Sequence, residues 1–452
     1  MDDEYRRSLD YLYGRLNYER VGMPRIPGEM RLGRVRRLLR RLGDPQDALK
    51  IVHVAGTKGK GSTAAMMAAG LTASGVSTGL FCSPHLHRLE ERFAVDGVEA
   101  TPDELVALVE AVRPAVDDLD AHGPHHRHRG ATFFELTTAI GLLHFARRGV
   151  GAVLLEVGLG GRLDSTNCVR PELAVVTTIS IDHTRQLGHT LAAIAGEKAG
   201  IFKRGRPSLS GVRGEAARAV IRAAAARRGS RLRAIDDDFT YEYTPPRAPL
   251  LGPTPGRVSV RTWRTDWGAL DLPLLGGHQA HNAAVALAGL DALAERGLVV
   301  TPEQARRGLA GLRFPARVEV LGRGPWVVVD GAHNVASAEA LAAAIADSFP
   351  PGPRTLVFGT TRDKDLDGQL RALLPLFSRV VATRYLENPR AVPPAEVAEA
   401  VGRLSGGPVE VADGPATALE LARRRTPEGG LICVTGSLFL AAEARSLLRG
   451  SG

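Results

Sequence analysis

Residues 50–74 run from an apolar stretch, "KIVHVA", through a bare turn, "GTKGKG", into an alanine-rich stretch, "STAAMMAAGLTAS". The first stretch has the composition of a buried strand, and the third that of a packed helix. Only a tight turn fits in the six residues between them, three of which are glycine. A buried strand passing through a short turn into a helix is the repeating unit of α/β folds with a parallel sheet. This stretch therefore restricts the architecture more than any other in the chain. It also sets a chemical question, because Lys58 and Lys60 stand where the backbone is most exposed.

The same alternation continues. "STGLF" (77–81), "AVLLEV" (152–157) and "LAVVTTI" (173–179) read as further buried strands, with helical periodicity at 62–74, 102–120 and 132–148. Between about 238 and 274 the texture changes to short β-like pieces, "FTYEY", "RVSVRTW" and "ALDLPL", followed by helical stretches at 278–297 and 301–311. A second alternating series then begins, with strands expected at 326–330, 355–359, 379–382 and 431–435. The chain thus reads as two α/β blocks joined near "GLRFPAR" (311–317). Residues 1–312 are expected to form a mostly parallel-sheet, P-loop-type domain with N-terminal helices, and 313–452 a smaller Rossmann-like α/β domain.

The totals exclude several function classes. The chain has 452 residues, a formal charge of +9 and a pI near 9.8, which raises nucleic acid as a partner. Only six of its 58 basic residues are lysine, however, and the arginines are spread over most helices, as in "RVRRLLRR" (34–41), where leucines alternate with a solvated face. The basic balance alone is therefore weak evidence for nucleic-acid binding. Cys82, Cys168 and Cys433 are far apart and lack metal-ligand spacing, which suits a reducing cytoplasm. The start, "MDDEYRRSLDYLY", has no apolar signal-type core. The uncharged run from Gly61 to Pro84 is broken by Gly70, Gly75 and several hydroxyl residues, so no membrane span is expected. "AHGPHHRHRG" (121–130) reads as a surface loop rather than a metal site.

Three features carry chemistry. In the glycine turn, backbone N–H groups and the start of a helix converge on one spot, a setting suited to phosphate. Lys60 can reach outer phosphates and Ser62 can ligate Mg²⁺. The common pattern GxxxxGK[ST] is not met, because Val54 stands at its first glycine and Gly61 precedes Ser62. What remains is a shorter variant, which a turn that binds nothing could also show. Lys58 reads as extra positive charge at the rim. Second, Glu156 ends an apolar strand, where a bare carboxylate is costly, and the next strand ends at Asp182 and His183 in "SIDHT". Carboxyl ends of parallel strands are where α/β proteins bind ligands. Third, Lys198 lies in "IAGEKAGIFK", a small and apolar helix, as either a snorkelling residue or a lysine of lowered pKa.

"VAGTKGKGS", "CSPHL", "FFELTTAIGLLHF", "LLEVGLGGRLDSTN", "GEKAGIF", "LLGGHQAHNAAVAL", "VVVDGAHN", "NPRA" and "GSLFLAAE" follow one another between about residues 9 and 445. In this the chain resembles the folylpolyglutamate synthases and their bifunctional dihydrofolate synthase relatives, within the Mur-type ligases. The resemblance implies a cytoplasmic, monomeric, ATP-dependent ligase that adds L-glutamate to folates or to dihydropteroate, with no nucleic-acid or membrane partner. It implies that Gly56, Thr57, Lys58, Gly59, Lys60, Gly61 and Ser62 hold ATP phosphates, and that Asn282, Arg317 and Asp330 contact the nucleotide. Ser62, Glu156 and His183 would hold Mg²⁺. A CO₂-derived carbamate on Lys198 would help with a second Mg²⁺. Lys60, Lys198 and His333 would act in catalysis, and Ser83 and His85 would lie near the pterin-bearing substrate. Two departures stand out: Lys58 replaces the family's usual asparagine, and Pro315-Ala316-Arg317 replaces its "PGR".

Three other readings remain at this level. One is a cell-wall or amino-acid ligase with the same nucleotide loop. Another is a P-loop ATPase acting on nucleic acid. The third is a nucleotide-binding module without turnover.

Overall fold

A computed structural model of the chain describes residues 3–21, 32–122, 130–246 and 255–450. Most of the histidine-rich stretch, 123–129, lies outside the described residues. The chain divides into two compact units, one comprising Met1–Tyr241, Val260–Gly268 and His281–Leu312, the other Glu242–Ser259, Ala269–Ala280 and Arg313–Gly452.

The first unit is built on eight strands: β1 (Ile51–Ala55), β2 (Thr78–Phe81), β3 (Phe93–Val95), β4 (Val98–Glu99), β5 (Ala152–Glu156), β6 (Leu173–Val176), β7 (Ser208–Ser210) and β8 (Leu232–Ala234). They lie in the order β4-β3-β2-β5-β1-β6-β7-β8. β2, β5, β1, β6, β7 and β8 are parallel, and the β3–β4 hairpin is antiparallel at one edge. β1 and β5 are buried along their whole length, as central strands covered on both faces must be. On one side Phe81, Val153 and Leu155 pack with Leu136, Ile140 and Phe145 of the helix Phe133–Arg147. Another cluster joins Ala55 and Val176 to Ala195, Ala199 and Ile221. The helix Phe133–Arg147 starts at a capping box in which Thr132 and Glu135 satisfy each other's backbone N–H groups. Glu135 also accepts from Arg34 at 2.6 Å, which ties the arginine-rich helix Leu32–Arg41 to this core.

The change of texture near 238–274 is a three-stranded sheet, with β9 (Thr240–Thr244), β10 (Gly256–Arg261) and β11 (Asp266–Leu272) in the order β11-β10-β9. The turn between β10 and β11 is anchored on Asp291 of the helix Gly277–Ala294, whose buried carboxylate accepts from the hydroxyls of Thr262 and Thr265 and from Trp267 Nε1.

The second unit carries β12 (Glu319–Gly322), β13 (Trp326–Val329), β14 (Arg354–Phe358), β15 (Arg379–Ala382), β16 (Val409–Val411) and β17 (Leu431–Thr435). Their order is β12-β13-β17-β14-β15-β16, parallel except for β12. The expected mostly parallel α/β architecture, with a smaller Rossmann-like sheet following it, is present. The expected strands agree with β1, β2, β5, β6, β13, β14, β15 and β17 to within a few residues. Three-residue strands such as β7 and β8 are additional. Ser208 and Ser210 of β7 are buried, with Ser208 Oγ accepting from Ser230 Oγ at 2.8 Å, so hydrogen bonding takes the place of an apolar pattern there. Among the described residues no helix is long and apolar enough to cross a membrane.

Ala316, where the sequence lacks a glycine, adopts φ +54°, and Val318 adopts φ +49°. Side chains avoid this left-handed region at a cost of about 1–2 kcal/mol per residue. The turn is held from outside: Val318 N–H donates to Asp330 Oδ2 at 2.8 Å, and Gly331 N–H to the Ala316 carbonyl at 3.0 Å.

Three stability outcomes are expected. Asp291→Ala leaves three donors without their acceptor and should cost about 3 kcal/mol, read as a lowered urea midpoint; a loss under about 1 kcal/mol would contradict the anchoring role. Ala316→Gly gives up a buried methyl but relieves the left-handed strain, so it should stay within about 0.5 kcal/mol of the parent chain. Ala338→Gly, which loses a buried methyl inside the helix Val335–Ser348, should cost about 2 kcal/mol. Equal losses in thermal unfolding would show that the turn stores no strain.

Candidate functional site

The glycine turn leaves the carboxyl end of β1 and enters the helix Lys60–Ala73 at Gly59, which has φ +80° and supplies no side-chain cap. The first amides of that helix therefore have neither an intrahelical acceptor nor a capping oxygen. Two glycines are required by close approach. A Cβ on Gly56 (φ +156°) would meet Thr177 Oγ1 at 1.9 Å, and a Cβ on Gly59 would meet Asn282 Oδ1 at 2.1 Å.

Threonines beyond the end of β6 hold the turn in place. Thr177 Oγ1 and Thr178 Oγ1 both donate to the Lys58 carbonyl, at 2.6 and 3.0 Å. Lys58 N–H donates to Thr178 Oγ1 at 3.1 Å. Thr57 N–H reaches the Thr178 carbonyl at 2.8 Å, and Thr57 Oγ1 exchanges hydrogen bonds with the backbone of Ser180. The sequence reading did not give Thr177 and Thr178 this role; two hydroxyls just past an apolar strand were the available signal.

Each lysine of the turn leans on an acid from a neighbouring strand end. Lys60 Nζ lies 3.8 Å from Glu156 Oε1, and Lys58 Nζ lies 3.2 Å from Asp182 Oδ2. Glu156 and Asp182 are largely buried, with side-chain exposures of 7% and 8%, so the pairing meets the cost of holding carboxylates there. Glu156 Oε2 also accepts from Ser83 N–H at 3.1 Å, which brings the "CSPHL" segment to the same strand end. His183 follows Asp182 at φ +49° and stands at the N-cap position of the short helix Thr184–Leu187 without a side-chain cap. Ser62 is buried in the first turn of the helix Lys60–Ala73.

Lys198, on the helix Leu191–Ala199, is buried and donates to the Gly56 carbonyl at 2.9 Å. Burial, reinforced by the nearby charges of Lys60 and Lys58, lowers its pKa from 10.5 to about 7, while Asp182 and Asp164 oppose the shift. The amine is thus a neutral nucleophile for much of the time near neutral pH. A snorkelling lysine would have reached water; this one turns inward to the glycine turn.

The donors named for a metal, Ser62, Glu156, His183 and Lys198, all belong to this edge of the sheet. Among the described residues, no three His, Cys, Asp or Glu side chains are gathered into a metal cage. A buried carboxylate and a hydroxyl beside a turn with uncapped amides suit Mg²⁺, which takes few protein ligands together with water and other oxygens.

In the second unit, Asp330 follows β13 and accepts from Val318 N–H and, at 2.7 Å, from Ala332 N–H. Arg317 donates to its neighbour's carbonyl, Ala316 O, at 2.8 Å and lies over the Phe314 ring. His333 Nδ1 lies 2.8 Å from the Gly331 carbonyl, an acceptor, so Nδ1 carries the proton and Nε2 is the basic nitrogen. Arg317, Asp330 and His333 are therefore mounted on one loop system at the carboxyl end of β13.

Residues 54–290 match the Mur ligase middle domain, and residues 316–438 match the Mur ligase, glutamate ligase domain. The chain is 32% identical over 450 residues to the dihydrofolate synthase/folylpolyglutamate synthase of Bacillus subtilis, covering 98% of this chain and 99% of that protein. It is 38% identical over 418 residues to a Haloferax volcanii relative, of whose length it spans about half, 48%. Among solved structures, Mycobacterium tuberculosis folylpolyglutamate synthase complexed with ADP is similar with a TM-score of 0.89 at 32% identity, over 98% of both chains. With both Mur ligase domains in order and relatives matched end to end, the chain belongs to the folylpolyglutamate synthase/dihydrofolate synthase family of Mur-type ligases.

Proposed function

We propose that the chain is an ATP-dependent amide ligase that joins L-glutamate to the carboxylate of a folate, with dihydropteroate as the alternative acceptor. The observation that supports this is the turn at 56–62, where the uncapped amides that open a helix lie with Lys60 beside Glu156 and Lys198. Residues 1–312 supply the nucleotide site, and 313–452 form the second catalytic domain.

The chemistry follows from the leaving group. A carboxylate does not accept an amine directly, because hydroxide would have to depart. Transfer of the γ-phosphoryl group of ATP to the carboxylate oxygen gives an acyl phosphate. The glutamate amine then attacks the carbonyl carbon, and the tetrahedral adduct collapses with loss of phosphate and a proton. Amides at 59–62 cradle the phosphates, and Lys60 exchanges Glu156 for a phosphoryl oxygen as negative charge moves. Lys58 adds charge at the rim, and Asn282, packed on Gly59, positions the nucleotide. Arg317, Asp330 and His333 serve the same reaction from their own loop system. Ser62, Glu156 and His183 would hold Mg²⁺, which when bound offsets phosphate charge. At Lys198 the neutral amine nitrogen adds to the carbon of CO₂ and releases a proton, so that an anion replaces a cation and can help hold a second Mg²⁺.

Purified protein with ATP, Mg²⁺ and radiolabelled glutamate should release ADP only when a reduced folate or dihydropteroate is also present. Lys60→Ala should remove this turnover with the fold intact by circular dichroism; near-normal turnover would refute its phosphate role. ADP release stimulated by DNA or RNA instead would favour the nucleic-acid ATPase. Turnover with UDP-linked precursors would favour the cell-wall ligase. Lys198→Ala should be inactive and partly rescued by bicarbonate with a short carboxylic acid, whereas full activity without supplement would remove the carbamate from the account.

A further inference from the structure

The "CSPHL" segment is fixed by a chain of polar groups centred on one buried arginine and distinct from the glycine turn. Arg92 is fully buried. Its Nε donates to His85 Nδ1 at 2.8 Å, and its Nη1 and Nη2 grip both oxygens of Glu19 at 3.0 and 2.6 Å. The guanidinium stands 5.2 Å from the centroid of the Phe133 ring, which in turn stacks on Tyr13 at 5.4 Å. Four contacts on three sides leave Arg92 no alternative orientation.

The consequence for His85 follows from valence. A guanidinium offers only donors, so Nδ1 of His85 must supply its lone pair. The proton of the neutral ring then sits on Nε2. Burial, with Arg92, Arg20 and His87 adding positive charge nearby, pushes the ring's pKa down to about 3, which keeps it neutral. Among the described residues Nε2 meets no hydrogen-bond partner, and the ring is only partly buried. The neighbouring Ser83 N–H rests on Glu156, so this same five-residue segment borders the reaction site.

We propose that Arg92, braced by Glu19, is a positioning residue that locks His85 as an uncharged Nε2–H donor for a neutral acceptor, a ring nitrogen or carbonyl oxygen, on the heteroaromatic end of the folate. This deepens the proposed function and rests on its placement of His85 near that substrate. A carboxylate would be better served by an imidazolium, which a guanidinium at Nδ1 opposes. His85 is therefore suited to the ring of the substrate rather than to its carboxylates.

The test has a spectroscopic arm and a kinetic arm, both on the full chain. Imidazole ¹⁵N spectra, with His85 identified by the signals lost in His85→Gln, should show a pyridine-type Nδ1 and a pyrrole-type Nε2. Arg92→Met should convert this into a mixture of tautomers. In turnover, Arg92→Lys and Glu19→Gln should each raise the KM for folate about tenfold and leave the KM for ATP within about twofold. His85→Gln, whose amide nitrogen falls where Nε2 stood, should retain more folate affinity than His85→Asn. A protonated Nδ1 or a charged ring in the parent protein overturns the proposal. So does an unchanged folate KM, or an equal rise for folate and ATP, in Glu19→Gln. If the Arg92 variants do not fold, the parent spectrum, Glu19→Gln and the two His85 variants still decide. Absence of folate-dependent turnover in the parent protein would sink the functional reading and this assignment with it, even with the tautomer as stated.

Discussion

The first unit depends on the way one short turn is stitched to its neighbours. Thr177 and Thr178 hold the Lys58 carbonyl, Lys198 holds the Gly56 carbonyl, and Asn282 closes against Gly59. Backbone carbonyls are thereby drawn inward to side-chain donors, while the amides that open the helix Lys60–Ala73 are left without internal acceptors. An anion is the natural complement of that asymmetry. The glycines permit it: Cβ atoms at 56 and 59 would occupy the space that Thr177 and Asn282 need.

Charge is arranged around this turn in pairs. Lys60 with Glu156, and Lys58 with Asp182, let four charged groups sit at the carboxyl edge of the sheet, two of them largely buried. Under the proposed function, nucleotide phosphates would compete with the two acids for the two lysines. Each acid would then be freed to face the cation that accompanies the nucleotide. Lys198 is held by the Gly56 carbonyl, and Asp182 and Asp164 only partly offset the effect of its burial, so its pKa is lowered, the condition a reactive amine needs. Lys58 takes part directly in this exchange. A neutral residue in its place would leave Asp182 facing the turn without its lysine.

The parts of the fold legible in the sequence were those in which burial dictates composition. β1, β5, β13 and β17 are covered on both faces and read as continuous apolar runs. β7 and β8 were not legible, because strands of three residues with buried serines or a half-buried arginine carry no hydrophobic period. At the site, glycines, lysines and strand-end acids announced themselves by type and position. The network that orients them did not, because Thr177, Thr178 and Arg92 are ordinary residues whose partners lie 7 to 120 positions away. Ala316 shows the same limit from the other side: a missing glycine in the sequence does not reveal that the backbone stays left-handed without it.

If the 56–62 turn binds phosphate, it does so because its backbone geometry leaves amides uncommitted. Equilibrium ATP binding to Gly59→Ala, compared with Gly75→Ala, tests it most directly. Both glycines have positive φ, +80° and +90°, but only at Gly59 would a Cβ collide with a neighbour. The account predicts that Gly75→Ala binds ATP as the parent chain does, while Gly59→Ala loses about a hundredfold or more in affinity. Parent-like ATP affinity in Gly59→Ala would contradict it.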